Sequence, residues 1–208
     1  MSFYDDKVLP HILDKLCSQN SVMSLRERVV PLARGVVLEV GIGSGINLQL
    51  YNATNVDFVW GLEPSNGMRR KAQHNINKSP VNVKWLDLPG EEIPLENNSV
   101  DTILLCFTLC SISNSTKALR QMHRVLKEDG ILLFCEHGRS PEPDIAKWQQ
   151  RVTPTWQKIA GGCHLNRPIQ ELISSSGFDV IELETCYMNG FPKIMGYMYI
   201  GQAKKMHK

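Results

Sequence analysis

A glycine-rich stretch that directly follows a run of β-branched residues is the feature that most restricts the fold of this sequence. The run Val36–Val40 is short and apolar, and Gly41, Gly43 and Gly45 follow it at once. Glycines at a strand-to-helix turn permit positive φ and let the backbone approach a ligand closely. The stretch therefore predicts a strand, a tight turn against a bound small molecule, and then a helix.

Further apolar runs predict the other strands of one sheet. Four of them follow the first strand, at Val56–Leu62, Val81–Leu86, Val100–Phe107 and Ile131–Cys135. The segments 66–77 and 117–126 between them have the apolar spacing that is typical of helices. Apolar strands that alternate with helices indicate an α/β fold with a doubly wound, mostly parallel sheet. With two C-terminal strands added, we expect a seven-stranded, Rossmann-like sheet.

The two ends of the chain extend this core. We predict one domain over 1–208, with an N-terminal helical lid at 1–34, a cofactor-binding core at 35–138, and substrate-side helices with an antiparallel C-terminal hairpin at 139–208. In the last part Pro154 is expected to interrupt an aromatic-rich helix, and Asn166 to cap the next one. The hairpin strands are predicted at Phe178–Tyr187 and Ile194–Gln202.

Composition excludes several classes of protein. There are 23 Lys and Arg residues against 21 Asp and Glu, so bulk charge gives no reason to expect a nucleic-acid partner. The longest apolar runs, Ile103–Leu109 and Ile131–Cys135, are far shorter than the ~18 residues of a membrane span. No basic, apolar signal peptide precedes them. The six cysteines show no CxxC pattern, so we expect reduced thiols and a cytoplasmic location.

Two classes of ligand, the dinucleotides and other cofactors that contain a ribose, suit the glycine stretch and the acidic residue that follows it. Glu63 lies eighteen residues after Gly45, at a predicted strand end, where its carboxylate can accept hydrogen bonds from both hydroxyls of a ribose. Dinucleotide-binding sequences have a third small residue at the position that Ile46 occupies in this chain. The third glycine of this chain, Gly45, comes one residue earlier. A nicotinamide oxidoreductase is therefore the least favoured interpretation.

The glycine pattern, with Glu39 before it, resembles motif I of the class I S-adenosylmethionine-dependent methyltransferases. The stretch Val37–His137 resembles the methyltransferase type 11 domain, and the likeness rests on Thr108–Ile112, His123–Gly130 and Leu132–His137. Beyond that domain the chain is similar to the methyltransferase-like thiol methyltransferases of animal endoplasmic reticulum. The segments that carry this second likeness are Glu136–His137, Trp148–Gln150, Pro154–Trp156, Gly162–Leu165 and Ile194–Tyr197. Relative to those proteins, we expect a form without the N-terminal membrane anchor.

The resemblance implies that S-adenosylmethionine is the cofactor and that the methyl acceptor is a small molecule. An alkyl thiol is the favoured acceptor. The resemblance also implies that Asp87 and its neighbour contact the adenine, and that residues 106–108 form the floor of the site. The implied cofactor-binding residues are Glu39, Gly41, Ile42, Gly43, Ser44, Gly45, Asn47, Glu63, Pro64, Ser65, Met68, Asp87, Leu88, Cys106, Phe107 and Thr108.

Two histidines are candidates for acting on the acceptor. A free thiol has a pKa of ~8.5, so a thiol acceptor must be deprotonated near neutral pH. His137, just beyond the fifth predicted strand, is the first candidate for a base or a substrate contact, and His164 is the second. For each, a purely structural histidine is an equal alternative.

Several apolar side chains and cysteines could serve either the site or the core. Trp148, Trp156 and Leu165 either roof an apolar acceptor pocket or pack in the core. The sulfurs of Cys106, Cys110 and Cys135 match no zinc spacing, so no metal site is predicted.

Alternative functions stay open at this stage. They are N-methylation of a phospholipid or other lipid amine with peripheral membrane contact, methylation of a quinone-type acceptor, and S-adenosylmethionine binding without turnover. The oligomeric state is left unpredicted.

Overall fold

A sheet of seven strands forms the centre of the molecule in the computed structural model, which describes residues 8–206. The strands are β1 Gly35–Val40, β2 Val56–Leu62, β3 Val83–Leu86, β4 Val100–Cys106, β5 Leu126–His137, β6 Phe178–Tyr187 and β7 Tyr197–Lys205. They lie in the order β3-β2-β1-β4-β5-β7-β6. Among the strands of the described residues, β7 alone runs against its neighbours, because β1 to β5 pair in parallel and β7 is antiparallel to both β5 and β6.

Helices cover the sheet and connect its strands. Their bounds are α1 Leu9–Cys17, α2 Asn20–Arg26, α3 Asn66–Ile76, α4 Ser115–Val125, α5 Pro143–Ile159 and α6 Ile169–Ser175. Side chains start two of them, since the Ser65 hydroxyl accepts from the Met68 N–H and Asn114 accepts from the Lys117 N–H. None of the helices within residues 8–206 has the length and apolar character that crossing a bilayer requires.

The apolar core lies on both faces of the sheet, because alternate residues of a strand point to opposite sides. On one face Leu38 and Val40 pack with the buried side of α4 and α6. On the other face Val37 packs with α2 and the short segment that follows it, including Val22 and Val30. Burying a side chain of this size contributes about 1.5–3 kcal/mol, so the central strands are held from both sides.

Three local predictions are wrong. The residues after the glycine stretch form a short 3₁₀ helix, Ile46–Leu50, instead of an α-helix. Pro154 lies inside an unbroken α5, where the carbonyl it leaves unpaired belongs to Gln150, which is exposed to water. The N-cap of α6 is Pro168, while the side chain of Asn166 donates to Gln150.

Strand lengths also differ from the prediction. β5 extends well beyond Ile131–Cys135 at both ends, because it pairs along its length with β4 and β7. Gly130 therefore lies within β5, although the sequence suggested that it follows the end of a helix. β7 begins at Tyr197, three residues later than predicted, whereas β6 has the predicted bounds. The predicted lid starts in residues 1–7, which lie outside the described part of the chain.

Candidate active site

A cavity of about 930 Å³ opens where the parallel strands β1, β2, β4 and β5 end. Its walls are the glycine stretch, the segment after β2, the turn after β4, α1, and the chain after α5. The carboxyl edge between β1 and β4, where strand order reverses, is where open α/β sheets bind ligands. Ligand pockets typically measure ~300–1,000 Å³, so this one has room for a nucleoside cofactor and a small second ligand.

The glycine stretch forms a tight turn against the floor of the cavity. Gly41, Gly43 and Gly45 have φ of +68°, +60° and +74°, which side chains disfavour. The Gly41 N–H donates to the Leu62 carbonyl at 2.8 Å, which holds the turn on β2. A Cβ on Gly41 would lie 2.3 Å from a Thr108 methyl, so the turn and the β4 end are packed directly together.

We expect Gly41→Ala to lower the free energy of unfolding by about 2–5 kcal/mol. Backbone strain should contribute ~1–2 kcal/mol of this, and overpacking against Thr108 the other ~1–3 kcal/mol. Gly190→Ala is the matched control, because Gly190 also has positive φ (+80°) but a Cβ there meets nothing within 4 Å. That variant should lose only the strain. Chemical denaturation of both variants checks this, and equal losses would show that the contact with Thr108 is unimportant.

Glu63 joins the glycine stretch to the segment after β2. One carboxylate oxygen accepts from the Gly43 N–H at 3.1 Å and the other from the Ser65 N–H at 2.8 Å. The residue is only 8% exposed, and burial raises the pKa of its carboxyl. Each oxygen has a second lone pair, so both can still accept from a ligand hydroxyl. The pair of oxygens facing the cavity suits a ribose.

Glu39 supports the turn from below without lining the cavity. It accepts from the Asn47 amide at 2.8 Å and from the Tyr51 hydroxyl at 2.7 Å, and Asn47 in turn accepts from Arg26 at 2.8 Å. Burial raises the pKa of Glu39 to about 7 despite these hydrogen bonds. The network fixes Ile46–Leu50 behind the glycine stretch.

Helix α1 contacts the glycine stretch through Asp14. One oxygen of Asp14 accepts from the Ser44 hydroxyl at 2.5 Å, and the other lies 2.9 Å from the Lys71 ammonium. Leu9 and Cys17 of the same helix line the cavity. Asp14 could not be identified as a site residue from the sequence, since an aspartate on a short helix has no pattern that reveals its distant partners.

Two cysteines and a histidine meet at the wall of the cavity. Cys110 comes from the turn after β4, His137 from the end of β5, and Cys163 from the turn after α5. The Cys163 sulfur lies 3.2 Å from His137 Nε2, and one ligand atom from each of the three lies within 4.8 Å of the others. We refer to these residues as the Cys110–His137–Cys163 cluster.

The members of this cluster change one another's acidity. A hydrogen bond from Cys163 and the nearby imidazole lower the pKa of Cys110 well below that of an ordinary thiol. Burial alone would lower the pKa of His137, but the neighbouring Cys110 thiolate raises it above the usual value. A Cys110 thiolate and a His137 imidazolium therefore stabilise each other within the cluster.

Glu136 anchors the turn that carries Cys110. One oxygen accepts from the Thr108 and Leu109 N–H groups at 2.7 and 3.0 Å, while the other is buried and has no hydrogen-bond partner among residues 8–206. Burial raises the pKa of Glu136 from 4.5 to about 8. Phe107, at the start of this turn, has a φ of +57°, and these hydrogen bonds hold the turn in that conformation.

The raised pKa makes Glu136 a source of pH-dependent stability. Folding is favoured by its protonated form, so this contribution is complete below pH 4.5 and is lost as pH rises to about 8. Over that interval the wild type should lose a few kcal/mol of its free energy of unfolding, since one pKa unit corresponds to ~1.4 kcal/mol. We expect Glu136→Gln to remove this loss. Denaturation at several pH values, with exposed Glu96→Gln as control, tests this. A variant curve parallel to that of the wild type would contradict it.

Most of the predicted cofactor-binding residues are brought together at the cavity. Those that line it are Gly41, Ile42, Gly43, Ser44, Glu63, Pro64, Ser65, Met68, Cys106, Phe107 and Thr108. The predicted residues outside its lining are Glu39, Gly45, Asn47, Asp87 and Leu88. The Asp87 side chain is 75% exposed and lies 3.8 Å from Arg69, so its predicted contact with adenine stays a prediction.

The two candidate histidines occupy different environments. His137 lines the cavity, whereas His164 lies outside the lining and its Nδ1 is 3.0 Å from the Cys110 carbonyl. Of the apolar candidates, Trp156 and Leu165 line the cavity, while Trp148 is 55% exposed and does not. From the sequence, Cys110 was considered only with Cys106 and Cys135, and neither it nor Cys163 was grouped with His137.

Comparisons with known proteins agree with this geometry. Residues 38–134 match the family described as "Methyltransferase domain". The thiol S-methyltransferase TMT1B of Rattus norvegicus is 33% identical over 158 residues, which cover 71% of this chain and 62% of the relative. The chain thus spans about three fifths of the length of that relative.

Solved structures show the same fold. One is a Burkholderia thailandensis 1,6-didemethyltoxoflavin-N1-methyltransferase with bound 1,6-didemethyltoxoflavin and S-adenosylhomocysteine. It has a TM-score of 0.69 and 15% identity, and covers 95% of this chain and 83% of that one. The [4+2]-cyclase SpnF has a TM-score of 0.68 and 20% identity, covering 90% of this chain and 80% of its own. Residues 38–134 thus match a methyltransferase domain, and the chain has the fold of these solved structures.

Proposed function

We propose that this protein transfers a methyl group from S-adenosylmethionine to the sulfur of a small alkyl thiol. The observation that carries the proposal is that the Cys110–His137–Cys163 cluster and the glycine stretch line the same cavity. The name of the rat relative, a thiol S-methyltransferase, supports the same class of acceptor.

The cofactor fits the residues of the larger part of the cavity. Glu63 would accept from the ribose hydroxyls, the glycine stretch would lie against the methionine portion, and Ile42 and Met68 would give apolar walls. When bound, S-adenosylmethionine supplies a methyl group on a sulfonium, whose thioether is a good leaving group. The protein then needs chiefly to orient the acceptor and exclude water, and orientation alone reaches effective molarities of about 10⁵–10⁸ M.

His137 is the residue proposed to act on the acceptor, as a base or as a contact to its sulfur. It is 9% exposed at the cavity wall, with Cys163 on one side. His164 is the second such candidate, but its partners are the Cys110 carbonyl and Arg167, which suits a positioning role.

We also infer that α1 and α2 act as a lid over the cofactor. Leu9 and Asp14 of α1 and Val22 and Arg26 of α2 all belong to the cavity wall. Arg26 is buried and lies 4.9 Å over the Phe107 ring, which ties α2 to the turn after β4. The predictions of a single domain, a cytoplasmic location and no nucleic-acid partner stay predictions.

Isothermal titration with S-adenosylhomocysteine, beside NAD as control, tests the cofactor. We expect micromolar binding of the first and none of the second. A panel of small thiols and of phospholipid vesicles, each with S-adenosylmethionine, then tests the acceptor. Methylation of thiols supports the proposal. Methylation of the lipid amine only, or cofactor binding without methylation of any thiol, would overturn it.

A further inference from the structure

The Cys110–His137–Cys163 cluster has the composition of a metal site as well as that of a hydrogen-bonded network. It contains two thiols and one imidazole, carried by three separate parts of the chain. We propose that these three residues bind one Zn²⁺ ion, whose fourth position opens into the cavity and takes the sulfur of the acceptor thiol. The part concerning the acceptor rests on the proposed function, whereas the metal site itself does not.

The distances suit a four-coordinate site. Zinc bonds of ~2.3 Å to sulfur and ~2.0–2.1 Å to nitrogen place tetrahedral ligand atoms roughly 3.5–3.8 Å apart. In the structure Cys163 Sγ and His137 Nε2 are 3.2 Å apart, and all three ligand atoms lie within 4.8 Å of one another. Rotamer adjustments of less than about 1 Å would therefore complete the site.

The donor set selects a borderline-soft cation. Thiolate and imidazole ligands suit zinc, while magnesium and calcium prefer oxygen. Three protein ligands with one open position are typical of catalytic zinc, and two cysteines with one histidine form one of the known sets. Two thiolates would balance the charge of the ion, which is needed in a site where Cys110 is buried.

The surroundings of the cluster are compatible with a metal. Nδ1 of His137 is buried without a hydrogen-bond partner, so no described group opposes a tautomer that presents the Nε2 lone pair to an ion. The guanidinium of Arg167, hydrogen-bonded to the Leu109 carbonyl, repels a nearby cation, so the ion requires both cysteines as thiolates.

Two of the three cysteines that were considered together from the sequence do not take part. Cys106 and Cys135 pair in register across β4 and β5 and are buried in the core. Burial raises the pKa of Cys135 to about 12, which keeps it protonated. The proposed site therefore uses one cysteine of the original group with a residue 53 positions further along the chain.

The step at the metal is a ligand exchange. The S–H bond of the acceptor breaks, its proton passes to solvent, a zinc–sulfur bond forms, and the water in the fourth position leaves. No electrons are transferred to or from the metal. The acceptor is then held as a thiolate inside the cavity, and His137 acts on it through the ion.

Metal binding is measured directly on the full chain. The protein is purified with a phosphine reductant, stripped with a chelator and titrated with Co²⁺, then with Zn²⁺ in competition with a chromogenic chelator. We expect one ion per chain and a thiolate-to-cobalt charge-transfer band. Cys110→Ser and Cys163→Ser should each weaken zinc binding by at least ~100-fold, since even outer-shell changes cost 10–100-fold.

Cys186→Ser is the matched control, because Cys186 lies on β6 outside the cluster and should leave the band unchanged. Thermal melting and S-adenosylhomocysteine binding show that each variant is folded. The cobalt spectrum of the wild-type protein tests the metal site even if a variant fails to fold. An absent charge-transfer band, or zinc affinity unchanged in both cluster variants, would overturn the metal site.

The acceptor's role is tested by methylation with and without chelator. Loss of thiol methylation on stripping, with recovery on adding zinc, supports zinc-bound thiolate. Full activity of the stripped protein would remove the metal from the reaction but leave the proposed function standing. A protein that binds zinc but methylates no thiol would instead refute the proposed function and keep the metal site.

Discussion

Replacing Glu63 by alanine should weaken the binding of S-adenosylhomocysteine by about 10²–10⁴-fold. A hydrogen bond to a charged group contributes about 1.5–3 kcal/mol, and the variant loses two such bonds to the ribose, at ~1.4 kcal/mol per tenfold change. It also loses the carboxylate that accepts from the Gly43 N–H and so organises the glycine stretch. Both effects reduce affinity.

Isothermal titration measures this loss, and Glu96→Ala is the matched control. Glu96 is exposed and lies away from the cavity lining, so its removal should leave the dissociation constant unchanged. Thermal melting of both variants separates lost binding from lost folding. If Glu63→Ala binds as tightly as the wild type, Glu63 has no contact with the ribose.

Replacing His137 by alanine should reduce turnover with thiols by about 10²–10⁴-fold, the usual contribution of a positioned acid–base group. Its dissociation constant for S-adenosylhomocysteine should change little, because Glu63 and the glycine stretch are expected to carry the cofactor. The reduction is expected whether His137 acts directly or through a bound metal, since both require its imidazole at the cavity wall.

The matched control is His74→Ala, on the exposed side of α3. Steady-state kinetics with a thiol acceptor and titration with the cofactor product are compared for both variants. Unchanged turnover in His137→Ala would exclude it from the reaction. A parallel loss of cofactor affinity and turnover would show that the histidine serves mainly to shape the site.

Much of the fold follows from local pattern. The β-branched runs and the glycine stretch predicted β1, β2 and β4 closely, and the alternation with helices gave the parallel sheet. Strand ends depend on pairing with distant partners, so β5 proved longer than its apolar centre and β7 began later. The continuity of α5 through Pro154 could not be predicted, because it depends on the exposure of Gln150 in the folded chain.

The site also contains residues that follow from local sequence and residues that only the fold brings together. The residues predicted to hold the cofactor are close in sequence or lie at strand ends, so the contact between Glu63 and the glycine stretch follows from their positions. The cluster could not, because Cys110, His137 and Cys163 are brought together by β4, β5 and the turn after α5. Cys163 depends further on Gly161 and Gly162, both with positive φ, which turn the chain toward the cavity.

The contacts of Asp14 have a kinetic consequence. In the proposed lid, α1 is fastened to Ser44 and Lys71, and its opening requires both contacts to break. We therefore expect the opening of α1 to set the residence time of the spent cofactor, as lid opening does in many enzymes. The Asp14–Lys71 pair is partly exposed, so added salt should shorten that residence time by screening it.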